Sequence, residues 1–179
     1  MTNEELETLK YPVGKFSRPG RLDAAERDRL MAEFALCPAK LREAVAGLGD
    51  EQLATPYRPG GWTVRQVVHH IADTAMQIYT RVKLALTEER PTIRTFNQDG
   101  WAELVDSKVY GIEDTLVLLE ALFRRWERLW RSLGEADFGR EFIHPVSGVW
   151  TVDDALAASV WHTRHHTEQI ASLRRRMGW

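Results

Sequence analysis

Six histidines are present in the 179-residue chain, and five of them fall in two tight groups: His69-His70 in one, His162 and His165-His166 in the other. Imidazole is the side chain that titrates near neutral pH and the commonest protein ligand for transition metals, so this grouping is where chemistry is sought first. His162 and His166 are four apart, which on an α-helix separates them by only about 40° and stacks them one turn apart on the same face. That face also carries Ala155, Ala158, Ser159, Gln169, Ile170 and Leu173, a small and apolar stripe that turns toward a protein interior. Two imidazoles therefore point inward together, and buried ring nitrogens without partners cost on the order of 1–3 kcal/mol each. A shared cation satisfies one nitrogen of each ring at once.

A third ring can come from Val67-Val68-His69-His70-Ile71-Ala72-Asp73. Successive helical side chains diverge by about 100°, so only one of the two neighbours can face inward. The apolar arc Val64, Val67, Ile71, Ala75, Ile78 and Val82 lies nearer His70 than His69, and His70 is taken as the inward ring. Three imidazoles leave a divalent ion with open positions, the pattern of catalytic rather than structural zinc sites. The competing account is a set of hydrogen-bonded core histidines, and the residues alone leave the two accounts level. Two other metal classes are excluded: no Glu follows His162, as a His-Glu-x-x-His protease helix needs, and no Glu stands three residues before any clustered histidine, as di-iron bundles need. Asp73 and Gln169, each about a turn from a histidine of the set, are the candidates to orient a ligand or a water, although for Asp73 a surface charge or ion pair is the plainer role. His69 and His165 point elsewhere, His144 before Pro145 stabilises a turn, and the single cysteine, Cys37, is a buried thiol.

The elements that must position these residues are helices. Asp23 opens a helix that runs past Leu41 toward Leu48 with Pro38 expected to bend it, and Thr63 with Gln66 forms a capping box for a second helix ending near Thr87. A third, about Ile112 to Leu133, buries Trp126 and Trp130, and Thr151 with Asp154 caps a fourth that reaches Arg176. Arg174, Arg175 and Arg176 then complement the negative helix end. Residues 91–108 hold a mixed connection with a short helix near Gln98 to Val105, and Phe138 to Trp150 form a loop or short hairpin. Residues 1–21, punctuated by Pro12, Gly14, Pro19 and Gly20, are expected as an extended arm on a single domain spanning 1–179. The fold class is all-α, a four-helix bundle.

Composition sets the outer limits. Lys and Arg number 24 against 26 Asp and Glu, a net charge of −2, so nothing draws the chain toward nucleic acid or a membrane surface. One cysteine and a polar, acidic start without an apolar leader fit a cytoplasmic protein.

The chain also resembles a known family along nearly its whole length: Tyr11-Pro12-Val13-Gly14, Thr55-Pro56-Tyr57-Arg58, Gly60-Gly61-Trp62-Thr63-Val64-Arg65-Gln66-Val67-Val68-His69-His70, Lys83-Leu84-Ala85-Leu86-Thr87-Glu88, His144-Pro145, Trp161-His162 through His165-His166, and Arg175-Arg176-Met177-Gly178-Trp179. These stretches resemble the DinB-like four-helix-bundle proteins, most closely their YfiT-type branch. The resemblance implies a metal-dependent hydrolase with ligands at His70, His162 and His166, acting on a small molecule as a homodimer. It implies one divalent ion per chain, with zinc first and nickel second among ions that accept imidazole. Wider relatives resemble S-transferases that use low-molecular-weight thiols, which sets thiol transfer beside hydrolysis as an alternative. A non-catalytic bundle stabilised by its metal is the third.

Overall fold

The computed structural model describes residues 2–179. In chain order the elements are α1 (Asn3–Lys10), α2 (Ala24–Val45), α3 (Asp50–Leu53), α4 (Val64–Thr87), α5 (Gln98–Ala102), α6 (Val105–Lys108), α7 (Glu113–Ser132), α8 (Glu135–Phe138), β1 (Glu141–His144), β2 (Gly148–Thr151) and α9 (Val152–Met177). The long helices α2, α4, α7 and α9 form a four-helix bundle. Their starts follow from side chains that reach back to orphan amides: Asp23, Thr63 and Thr151 each accept from the backbone three residues on, and Glu26, Gln66 and Asp154 each return the bond.

Around the bundle, α2 and α4 each pack against both α7 and α9, so α2 lies diagonally opposite α4 and α7 diagonally opposite α9, while α4 and α7 are neighbours. The long connections 46–63 and 133–151 are what allow the chain to cross these diagonals. At the centre, Phe34 of α2 stacks on Phe123 of α7 at 4.3 Å between centroids and meets Trp126 edge-on at 5.1 Å. Trp126 and Trp130, both fully buried, stack at 5.4 Å. The tryptophan pair expected in the interior is therefore the core itself, and each ring adds burial worth several kcal/mol if truncated.

The structure departs from the sequence expectations in two places, the N-terminal segment and the connection after α4. Residues 3–10, expected within an extended arm, are helical, because Thr2 and Glu5 form a capping box and the turn-forming Tyr11-Pro12 begins only afterwards. Helix α2 runs through Pro38 as one continuous helix, with Phe34, Cys37 and Leu41 on both sides of it buried in the core. The connection after α4 holds two short helices rather than one, separated at Glu103 and Leu104. The hairpin β1–β2 is antiparallel, with Phe142 opposite Trp150 and His144 opposite Gly148, and it leans against α4 and α9.

Candidate metal centre

Helices α4 and α9 lie side by side, and this brings His70 against His162 and His166. The facing Nε2 atoms of His70 and His162 are 3.1 Å apart, and one ligand atom from each of the three rings lies within 4.8 Å of the others. His70 is 4% exposed and His166 9%, while His162 opens to a cavity. Burial pushes the His70 pKa down to about 4, with a smaller push from His165, and holds His162 and His166 well below 6.5. All three rings are therefore neutral at pH 7, the protonation state in which imidazole donates a lone pair to a metal.

The ring of His166 is oriented by a chain of bonds that starts outside the bundle. Lys10, the last residue of α1, offers a backbone carbonyl that can only accept, so the Gln169 Nε2 group faces it and donates at 2.8 Å. The same amide nitrogen donates to His165 Nε2 at 3.1 Å. Gln169 Oε1 is thereby turned to His166 Nδ1 at 2.8 Å, which must carry its proton to donate there. The proton on Nδ1 leaves the Nε2 lone pair of His166 free for the cluster. Trp62 covers the site from the other side, its ring 4.6 Å from that of His70. The turn before α4 places it there: Gly60 sits at φ +65, and a Cβ on Gly61 would come within 2.7 Å of Arg58 Cγ and 2.9 Å of Tyr57 Cε1.

The donor set fits a divalent transition ion. Bonds of 2.0–2.1 Å to imidazole nitrogen keep any two ligand nitrogens within about 4 Å of each other, and ring rotations of under about an ångström meet that limit here. Three neutral nitrogens without a carboxylate or thiolate suit zinc or nickel better than magnesium or calcium.

The other expected residues fall in different places. Asp73, expected one turn from His70, stands outside the cluster and makes no hydrogen bond or ion pair among the described residues. Burial, and then Asp106, push its carboxyl up to about 6. Thr74 takes the position beside His70, with 3.5 Å between its hydroxyl and Nε2: Asp73 and Thr74 both lie near one turn from the ring, and the packing of α4 against α9 puts Thr74 on the side shared with His162. His69 faces away and bonds Thr115 Oγ1 at 2.7 Å. His165 is buried between Trp161, stacked at 4.6 Å, and Tyr11 at 5.8 Å. His144 stabilises its turn by accepting from the amides of Val146 and Ser147, both at 3.2 Å, and also lines the cavity. Burial pushes the Cys37 thiol up to about 12, so it is inert. The C-terminal arginines serve the fold: Arg174 binds the last carbonyls of α2 and Arg176 the Tyr57 carbonyl. Trp62, Thr74 and the Lys10 carbonyl are the site components that helical spacing does not disclose; only the Gly-Gly turn next to Trp62 signals an unusual placement.

The cavity beside His162 has a volume of about 650 Å³. Its walls are the α4 residues Thr74, Ile78 and Arg81, the small α9 residues Ala155 and Ala158, and the hairpin's Phe142 and Trp150. A volume of this size accepts a small molecule with one end at the histidines.

The sequence model of the DinB superfamily matches residues 33–170. A Bacillus licheniformis protein whose name carries the words metal-dependent hydrolase is 48% identical over 175 residues, covering 97% of this chain and 99% of its own. YfiT of Bacillus subtilis, named in the same terms, is 45% identical over 172 residues, 96% of this chain and 97% of its own. The solved structure of YfiT, described as "a probable metal-dependent hydrolase with an unusual four-helix bundle topology", superposes with a TM-score of 0.94 over 96% of this chain and 99% of that one, at 45% identity.

Proposed function

The chain belongs to the DinB superfamily, and from that premise we propose that it is a metal-dependent hydrolase of a small-molecule substrate, with one divalent ion held by His70, His162 and His166. The observation that carries this reading is the convergence of three neutral imidazoles, one of which, His162, opens to a cavity. What a bound divalent cation supplies in such a setting is Lewis acidity toward a carbonyl or a water. The remaining tasks fall to the protein. Gln169 keeps the His166 lone pair directed inward, Trp62 shields His70 and His166, and the hairpin residues Phe142 and Trp150 keep the substrate's apolar parts out of water. His144 accepts two backbone amides at Nδ1, which leaves its Nε2–H as a donor at the cavity wall.

On this reading the ion is zinc, with nickel the alternative, and the chain works in the cytoplasm as a homodimer. No helix of the described residues is long and apolar enough to cross a membrane. One observation favours a second reading, transfer of a low-molecular-weight thiol: no Asp or Glu lines the cavity to serve as a base for water, whereas Thr95, Gln98 and Arg81 offer polar groups to a thiol cosubstrate.

The test uses protein purified without a histidine tag. Elemental analysis is expected to find one transition ion per chain, and His162→Ala or His166→Ala to lose it while keeping helix content. Hydrolysis across an ester and amide panel should fall to background in both variants and on chelation. Full metal content in either variant overturns the ligand assignment, and turnover only when a thiol is added overturns hydrolysis in favour of thiol transfer.

A further inference from the structure

The far end of the cavity carries a cation that nothing neutralises. Arg81 lies eleven residues beyond His70 on α4, so the two share a face, about 20° apart around the axis and about 16 Å apart along it. Helical side chains lean toward the N-terminus, which tilts the Arg81 guanidinium back toward the histidines. Among the described residues Arg81 has no carboxylate partner: its Nη2 donates to the Arg94 carbonyl at 3.2 Å, and its buried Nε has no hydrogen-bond partner. Burial works against its charge, and no acid among the described residues offsets it. Nor does the wall provide one, since its polar side chains are Thr74, Thr95, Gln98, His144 and His162 beside Arg81 itself. Phe96, Phe142 and Trp150 give the same cavity an aromatic lining.

A half-buried guanidinium facing a cavity without acids is costly unless something anionic enters. Arg is also the side chain whose fork matches a carboxylate with two parallel bonds. Two arginines nearer the surface are a contrast: Arg42 pairs with Glu113 and Glu120, and Arg131 with Glu127.

Resting on the hydrolase reading above, we propose that Arg81 selects the substrate: it receives a carboxylate-class monoanion at the outer end of the cavity, across an aromatic or other apolar body, and so places the reacting bond at the His162 end. Arg81 is thus a specificity-determining residue remote from the chemistry. It sets binding and register.

The experiment uses the full-length, metal-loaded protein and three probes that share a benzyl body: phenylacetate, phenylmethanesulfonate and neutral phenylacetamide. Sulfonate oxygens are weak metal ligands, so the sulfonate reports on the guanidinium rather than on the ion. Calorimetric or NMR titration is expected to show both anions binding about tenfold more tightly than the amide, the scale of one charge-assisted hydrogen bond. That preference should vanish in Arg81→Gln and largely survive in Arg81→Lys. In the unmutated protein, phenylacetate should shift the Arg81 Nε–H resonance, which keeps the test alive if Arg81→Gln folds poorly. An equal preference in Arg81→Gln, or an Nε–H signal indifferent to phenylacetate, overturns the proposal. Metal content measured on every sample separates this failure from that of the hydrolase reading: a chain that never binds an ion defeats the latter, and a loaded chain without charge preference defeats only the role of Arg81.

Discussion

Gln169 shows how much one buried amide can decide. It is 2% exposed, and its donors and acceptor are used by Lys10, His165 and His166. Gln169→Leu leaves the His166 Nδ1–H and the Lys10 carbonyl without partners, and partners of ligating histidines are worth about 10–100-fold in metal affinity. A drop of that size is expected in competition against a chromophoric chelator, with partial recovery in Gln169→Glu, whose carboxylate still accepts from Nδ1. Unchanged affinity with intact circular dichroism would reduce Gln169 to packing. The inward choice of His70 over His69 was legible because Val67 and Ile71 frame it on an apolar arc, and both are fully buried. The exact position beside His70 was not: Asp73 and Thr74 are both near one turn away, and only the packed helix pair shows that the hydroxyl and not the carboxylate faces the ring.

At the scale of elements, α2 is clamped to α9 by a buried ion pair. Arg27, 4% exposed, grips Asp153, 1% exposed, through Nε at 2.7 Å and Nη2 at 2.9 Å, and Asp153 also accepts the Leu22 amide at 3.1 Å. Glu135 at the start of α8 shares the guanidinium, which lies 4.6 Å over the Phe138 ring. Removing Arg27 strands the Asp153 carboxylate in the interior with only the Leu22 amide, so Arg27→Met is expected to lower unfolding free energy by about 3–5 kcal/mol in urea titrations. A loss under about 1 kcal/mol would mean that the pair is solvated in solution. Arg27 lies on the buried face of α2, but its partner is 126 residues away and no local pattern names it. The N-terminal segment teaches a related lesson. Thr2 and Glu5 spell a capping box that the nearby prolines and glycines overshadow, and the carbonyl at the end of the resulting helix is the one that orients Gln169.

For the whole molecule, the aromatic core around Phe34, Phe123, Trp126 and Trp130 is built without the metal ligands, so the bundle should outlast its ion. Free ion at 100 times its dissociation constant adds about 2.7 kcal/mol to stability, and each kcal/mol moves the midpoint of a chain this size by about 2–4 °C. Chelation is therefore expected to lower the thermal midpoint by roughly 5–10 °C while far-ultraviolet dichroism at 25 °C stays the same. Loss of helix on chelation would make the ion structural and count against catalysis. Four amphipathic helices, their capping residues and the inward faces of His70, His162 and His166 were all written in local spacing, because caps and helical faces depend on residues three or four apart. Which helices become neighbours was not. The diagonal order that seats α4 against α9, the cavity that their small residues leave beneath the hairpin, and the unpaired Arg81 within it arise from contacts between residues dozens of positions apart, where helical periodicity carries no information and only the packing of complementary surfaces decides.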